Sequence, residues 1–265
     1  MSSTTASTTA STAPVQGGIP KLRLEHPWRI LGLQLVGIGL AFLALVLWLI
    51  NADLTETERT TLAPGVLWGY TVEHLQLTVV AAVIVLLIAI PLGIVLTRPT
   101  MRRFTGPVLA VANIGQAAPA IGLIVILAFW LGFGFWAAIV SLVLYAILPV
   151  LTNTMVGLKQ VDERLVEAGR GMGMTSMAVL FKVELPLAVP VMLSGIRTAL
   201  VLLVGTATLA VFINGGGLGI LITTGVNLSL TAVLVFGSLL VAMLALLIDW
   251  VGRAVEELAR PKGLK

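Results

Sequence analysis

Six stretches of this chain run on with almost no charge, near residues 30–50, 75–97, 107–131, 135–156, 187–211 and 229–251. Between them, charged and polar residues gather in short segments. A helix needs about 20 apolar residues to cross a hydrocarbon core about 30 Å thick, and each stretch is of that order. Backbone groups in lipid must pair within their own segment, so the stretches are read as helices rather than open strands. Only Gly132-Phe133-Gly134 separates the third from the fourth, which predicts a tight helical hairpin. Pro91, Pro119, Pro149 and Pro190 fall within or at the edges of these stretches. There, neighbouring helices can satisfy the carbonyls that a proline frees. The pattern predicts an all-α polytopic membrane protein of about six transmembrane helices.

Composition agrees with lipid as the solvent. Apolar residues make up 58% of the chain and charged ones 11%, with a mean hydropathy of +1.07. A soluble domain carries roughly 25% charged residues. The placement of charge then sets an orientation. With the N-terminus inside, Lys21, Arg23, Arg29, Arg98, Arg102, Arg103, Lys159, Arg164, Arg170 and Lys182 all fall in inward segments. Arg253, Arg260, Lys262 and Lys265 follow the last span on the same side, and Arg59 alone lies outside, among Asp53, Glu56 and Glu58. Inward enrichment of Lys and Arg is the usual rule, and it fits an even number of spans with both termini cytoplasmic. Trp28 and Trp250 then mark the inner interface, and Trp48, Trp68, Trp130 and Trp136 the outer one.

The Ser/Thr/Ala-rich start of the chain, before the first apolar run, reads as a disordered tail. The run after it is too long for a signal-peptide core, which spans roughly 7–15 residues. The domains expected are a tail (1–27), an N-terminal helix with an outer loop (28–70), a membrane core (71–252) and a C-terminal tail (253–265). The absence of Cys excludes disulfides, thiolate metal sites and Cys nucleophiles. His26 and His74 lie too far apart to suggest a metal pair and read as interfacial or loop residues. Two charges fall inside spans, Arg197 and Asp249. Such charges are functional candidates. Here a structural reading is preferred: Arg197 reaches toward the inner interface, and Asp249 pairs with Arg253 one helical turn on. No chain of carboxylates or histidines crosses the bilayer, so nothing suggests proton pumping.

The longest inward loop, residues 157–186, carries the most specific signal. Asp162 can cap a short helix that Gly169, Gly171 and Gly173 would interrupt. Thr175 can cap a second helix, with Met177, Leu180 and Phe181 along one apolar side and Pro186 closing it. Within this loop stand Glu167-Ala168-Gly169, then Gly173, then Val183-Glu184-Leu185-Pro186. The spacing resembles the Glu-Ala-Ala loop of binding-protein-dependent ABC importer permeases, with Gly169 in place of Ala and Val183 in place of Ile. The resemblance implies a permease core with one additional N-terminal helix, of the fold seen in the methionine importer permease MetI. It also implies a coupling role for Glu167, Ala168, Gly169, Gly173, Leu185 and Pro186. In that family the loop docks on a separate ATPase subunit. This chain has no Gly-Lys pair and hence no phosphate-binding loop. The resemblance therefore places ATP and Mg at the partner, with no cofactor on this chain and no enzyme activity of its own.

From about residue 70 onward the chain is similar to the osmoprotectant group of these permeases, whose cargo is glycine betaine, choline or carnitine. The residues that carry this are Pro91–Arg98, Leu148–Thr154, Gly195–Ala199, Ala207–Ala210 and the glycine cluster Gly215–Gly219. The chain departs from the group at Gln116-Ala117-Ala118-Pro119-Ala120, which lacks two hydroxyls, and at Asn214. The resemblance implies ATPase subunits, a second permease copy or paralogue, an extracytoplasmic binding protein and a bacterial cytoplasmic membrane. Asn113, Gln116, Thr206, Thr208 and Asn214 are the polar candidates for a substrate pathway, although Ser and Thr in spans also serve packing. Three alternatives stand beside this reading. An importer for methionine or another amino acid would carry the same loop. An intramembrane hydrolase would need a base near Ser194, and a passive channel would need no coupling loop.

Overall fold

The computed structural model describes residues 27–259. The expected N-terminal tail with Lys21, Arg23 and His26, and the basic residues Arg260, Lys262 and Lys265, lie outside the described residues. Within them the chain is helical, without strands. Helix α1 (Pro27–Asn51) leads through the short α2 (Glu56–Thr61) into α3 (Pro64–Thr97). A 3₁₀ turn at Arg102–Phe104 precedes α4 (Thr105–Ala117) and α5 (Ala120–Leu131), and α6 (Phe135–Lys159) follows. Then come α7 (Glu163–Gly171), α8 (Ser176–Val179), α9 (Leu185–Ala207), α10 (Gly219–Asn227) and α11 (Thr231–Ala259).

Five helical segments are long and apolar enough to cross a membrane, and α4 with α5 makes a sixth if the bent pair counts as one span. That bend corrects the expectation of a continuous third span over 107–131. The two halves meet at 103°. Proline disfavours helical backbone in the residue before it, and Ala118 is extended, at φ −62° and ψ 142°. Pro119 then starts α5 as its N-cap. With 13 and 12 residues, each half spans roughly 20 Å at 1.5 Å per residue, too short to cross alone. The hairpin after α5 is as expected: Gly132 and Gly134 adopt φ of +87° and +127°, where side chains other than glycine are strained.

Helices α3, α6 and α9 form the centre of the molecule, around Leu77, Val85, Leu142, Val150 and Leu203. Small residues set their spacing. A Cβ on Gly195 would stand 2.4 Å from Asn153 Cβ and 2.6 Å from the Pro149 carbonyl oxygen. One on Gly93 would stand 2.8 Å from Thr154 Cγ2. Between membrane helices, close approach over small residues is a main source of attraction, because burial of apolar surface gains little in lipid. Helix α1 lies outside this centre, against α11, where the Trp250 indole donates to the Leu31 carbonyl at 2.8 Å. Leu33, Leu87, Phe129 and Trp130 are exposed, as lipid-facing residues must be.

The molecule has two distinct ends. At one, Glu58 of α2 meets the start of α11, where its carboxylate accepts from the Ala232 N–H at 3.3 Å. At the other, the far end of α3 meets the α7–α8 loop through Arg98 and Glu184.

Candidate functional site

The α7–α8 loop is built by two side-chain caps. Asp162 accepts from the Arg164 N–H at 2.9 Å, and Thr175 from the Ala178 N–H at 3.2 Å. Both caps are where the sequence predicts them. The bend is made by one glycine rather than three: Gly169 and Gly171 lie inside α7, and Gly173 alone turns the chain, at φ +82°. The helix that Thr175 starts is not closed by Pro186. It passes through a wide π turn, Leu180–Glu184, into α9, with the Leu185 N–H donating to the Leu180 carbonyl. A proline ring clashes with the carbonyl four residues back, here that of Lys182. The wider turn just before Pro186 accommodates the ring, so α8 and α9 form one continuous rod.

Two contacts fix this rod to the membrane core. Arg98, which caps the end of α3, donates from both terminal guanidinium nitrogens, Nη1 and Nη2, to the two Glu184 carboxylate oxygens in a bidentate pair. The Glu184 carboxylate is buried while Arg98 is partly exposed. Beside it, Leu180 packs with Leu158, Ala188 and Met192, and Leu185 lies against them. Leu180 therefore turns inward, whereas Met177 and Phe181, expected on the same side, are exposed at 65% and 61%. With Leu165 and Met172, also exposed, they offer apolar side chains around the bend. Glu167, Ala168, Gly173 and Pro186 are exposed, Gly169 is buried and Leu185 is half-buried. Gly169 tolerates the alanine of the motif: a Cβ there would meet Val179, Met174 and Val183 at 3.4–3.7 Å, ordinary contact.

The pathway candidates do not gather in the same way. Asn113 and Gln116 sit on the last turns of α4, with the Asn113 amide turned back to the Leu109 carbonyl at 2.7 Å. Thr206 ends α9 and Thr208 starts a 3₁₀ turn, Thr208–Ile213. Their hydroxyls donate to carbonyls of their own helix, those of Leu202 at 2.8 Å and Gly205 at 2.7 Å. Asn214 follows in left-handed backbone, φ +58°. The two charges inside spans have structural partners. Arg197 lies 3.5 Å from Asp249 and 3.4 Å from Glu256, and Arg253 bonds Asp249 at 2.8 Å. This network joins α9 to α11.

Pattern reading misses a third cluster. His74 is not a loop or interfacial residue: it is fully buried in α3, with Nε2 against the Val204 carbonyl at 3.0 Å. The neighbouring Glu73 carboxylate accepts from the Gly217 N–H at 2.9 Å. Gly216 and Gly217 need their glycines twice over. Their φ values are +82° and +91°, and Cβ atoms there would stand 2.6 Å from Glu73 Oε2 and 3.0 Å from His74 Nδ1. The glycine cluster is thus a close-packed turn held on α3, not a loose one.

Membrane-length apolar helices with an exposed helical knob at one end define a class, the polytopic α-helical membrane proteins. Comparison narrows the class. Residues 89–261 match the family described as the binding-protein-dependent transport system inner membrane component, and the chain belongs to that family. It is 42% identical over 201 residues to the glycine betaine/carnitine/choline transport system permease protein OpuCB of Bacillus subtilis, covering 76% of this chain and 92% of that one. It is 38% identical over 232 residues to the osmoprotectant import permease protein OsmY of Salmonella typhimurium, covering 86% and 95%. Among solved structures, the inward-facing MetNI methionine ABC transporter matches with a TM-score of 0.66 at 26% identity, covering 78% of this chain and all of that one.

Proposed function

We propose that this chain is the permease subunit of an ATP-driven importer of osmoprotectants, with glycine betaine, choline or carnitine as cargo. The observation that carries the cargo is its 42% identity across 92% of a permease named for those solutes. The coupling assignment rests on the capped α7–α8 knob, its exposed Met172, Met177 and Phe181, and its anchor to α3. Glu167, Ala168, Gly169 and Gly173 form the knob, and Leu185 and Pro186 join it to α9. A separate ATPase subunit docks there, and ATP and Mg act on that subunit. Because α8 runs through the π turn into α9, a push on that limb of the knob reaches the membrane core along one rod.

The remaining assembly follows the same reading. Two permease copies, or this chain and a paralogue, enclose the path in a bacterial cytoplasmic membrane, with α7 and both termini inside. A binding protein delivers cargo at the α2 end. Asn113, Gln116, Thr206, Thr208 and Asn214 are proposed to border the path. They supply no fixed charge, which suits a compact zwitterion. Quaternary ammonium groups are held by aromatic faces, so selection falls mainly to the binding protein. Uptake of labelled glycine betaine, choline, carnitine and methionine into vesicles holding the full complex, with and without ATP, tests this. ATP-dependent uptake of a quaternary ammonium solute is expected. Uptake of methionine alone would leave the importer reading and overturn the cargo.

A further inference from the structure

On the α7 end of the molecule, α3, α4 and α6 leave a cavity of about 310 Å³ open to the surroundings. Its walls are Leu92 of α3, Val108 and Val111 of α4, and Leu144, Ile147 and Leu151 of α6. On α4 and α6 these residues recur at helical spacing, so each helix presents one apolar stripe to the groove. Its lining is wholly apolar, which suits a hydrocarbon group and not a charged or zwitterionic solute.

Two arginines precede the groove's α4 wall in sequence, Arg102 and Arg103, the second with its guanidinium 4.8 Å over the Phe104 ring. Pro107, which also lines the groove, lies one helical turn past Arg103. Arg102 and Arg103 are exposed in the 3₁₀ turn that leads into α4, and among the described residues neither has an ion-pair partner, whereas Arg98 nearby is taken up by Glu184. Met101 and Phe104, on either side of the two arginines, are exposed as well. Charge flanked by exposed apolar residues is the pattern of a segment at the level of lipid headgroups. We infer that this groove is a binding site for one anionic phospholipid, its acyl chain lying along Val108, Val111 and Leu151 and its phosphate held by Arg102 and Arg103.

Native mass spectrometry of the full-length chain in its purified complex, titrated with dioleoylphosphatidylglycerol or dioleoylphosphatidylcholine, tests the site. At the usual contribution of a basic residue near an anionic surface, two arginines correspond to roughly thirtyfold preference for the anionic lipid. The double variant Arg102→Gln/Arg103→Gln is expected to lose most of that preference while retaining transport. Val108→Phe, which fills the groove, is expected to weaken retention of both lipids with the arginines intact. Equal binding of the two lipids by the unaltered chain would overturn the proposal, as would a preference that survives the double variant. A Val111→Cys variant that forms a disulfide between two copies in the complex would also overturn it, by placing a second permease in the groove. These outcomes are read independently of cargo, so failure here leaves the importer reading standing.

Discussion

Gly169 and Gly173 sit four residues apart in one loop, and only the second needs to be glycine. Gly169 is a helical residue with room for a methyl group. Gly169→Ala should raise the stability of the loop by about 0.5–1 kcal/mol, the helix-propensity difference, and leave transport intact; thermal unfolding and uptake measure the two effects. Gly173 has open space at its Cβ but a φ of +82°, which costs a branched residue about 1–2 kcal/mol. Gly173→Leu should insert normally and lose transport together with cargo-stimulated ATP hydrolysis. Gly173→Asn, which tolerates the left-handed region, should keep part of both. Wild-type transport by the leucine variant would dissociate the bend from coupling.

At the scale of elements, two tethers hold helices that are remote in sequence. The Arg98–Glu184 pair spans 86 residues and joins α3 to the coupling rod. Removing one partner strands a buried charge, at a cost of roughly 3–5 kcal/mol, whereas replacing both by apolar residues of similar size is far milder. Arg98→Met is therefore expected to lower the unfolding temperature and uncouple ATP hydrolysis from uptake, and Arg98→Met/Glu184→Met to regain much of the stability. A double variant no more stable than the single would show that the pair is not the tether. At the opposite end, Glu58 is held below the ordinary glutamate range by the Thr55 N–H and hydroxyl, and by Ala232. Its folded pKa is depressed, so its contribution is present above the unfolded value and is lost as pH falls through the lower folded one. Hydrogen exchange of residues 55–62, corrected for intrinsic rate, should therefore stay protected through mild acid and open only below the usual carboxylate range. Glu58→Gln should abolish that dependence.

For the molecule as a whole, α2 and the α7–α8 loop lie near opposite ends of α3, and the proposed topology, drawn from the asymmetry of Lys and Arg, puts them on opposite sides of the membrane. Reporter fusions after Asp53 and after Arg253 should give opposite signals, outside and inside. The same signal at both sites would refute the six-span arrangement. The broken third span is the feature most open to misreading from outside. A fusion in the α4–α5 corner near Pro119 reports a bend, not a full crossing, and should give a mixed signal where fusions beyond Gly134 do not.

The helical kind of the elements, the six apolar stretches, the hairpin at Gly132–Gly134 and the caps at Asp162 and Thr175 were legible in the chain by itself. Each depends on residues near one another in sequence: apolar run length, a proline or glycine, a hydroxyl or carboxylate two or three positions before an N–H. The membrane requirement strengthened this reading, since lipid leaves helices few alternatives. What local pattern could not determine was decided by packing. Pro119 announces a break, but only the fit of α5 against α6 and the Thr208–Ile213 turn sets its direction. Pro186 looks like a stop, yet a π turn carries the helix through it. His74 looks peripheral until α9 brings the Val204 carbonyl to it. Arg98 and Glu184 look like two surface charges until α3 and α9 lie side by side. The π turn answers a clash within one turn of Pro186, but for Pro119, His74 and the Arg98–Glu184 pair a deciding partner is scores of residues away, and a partner at that distance is chosen by which helices pack together, a choice that no local spacing records.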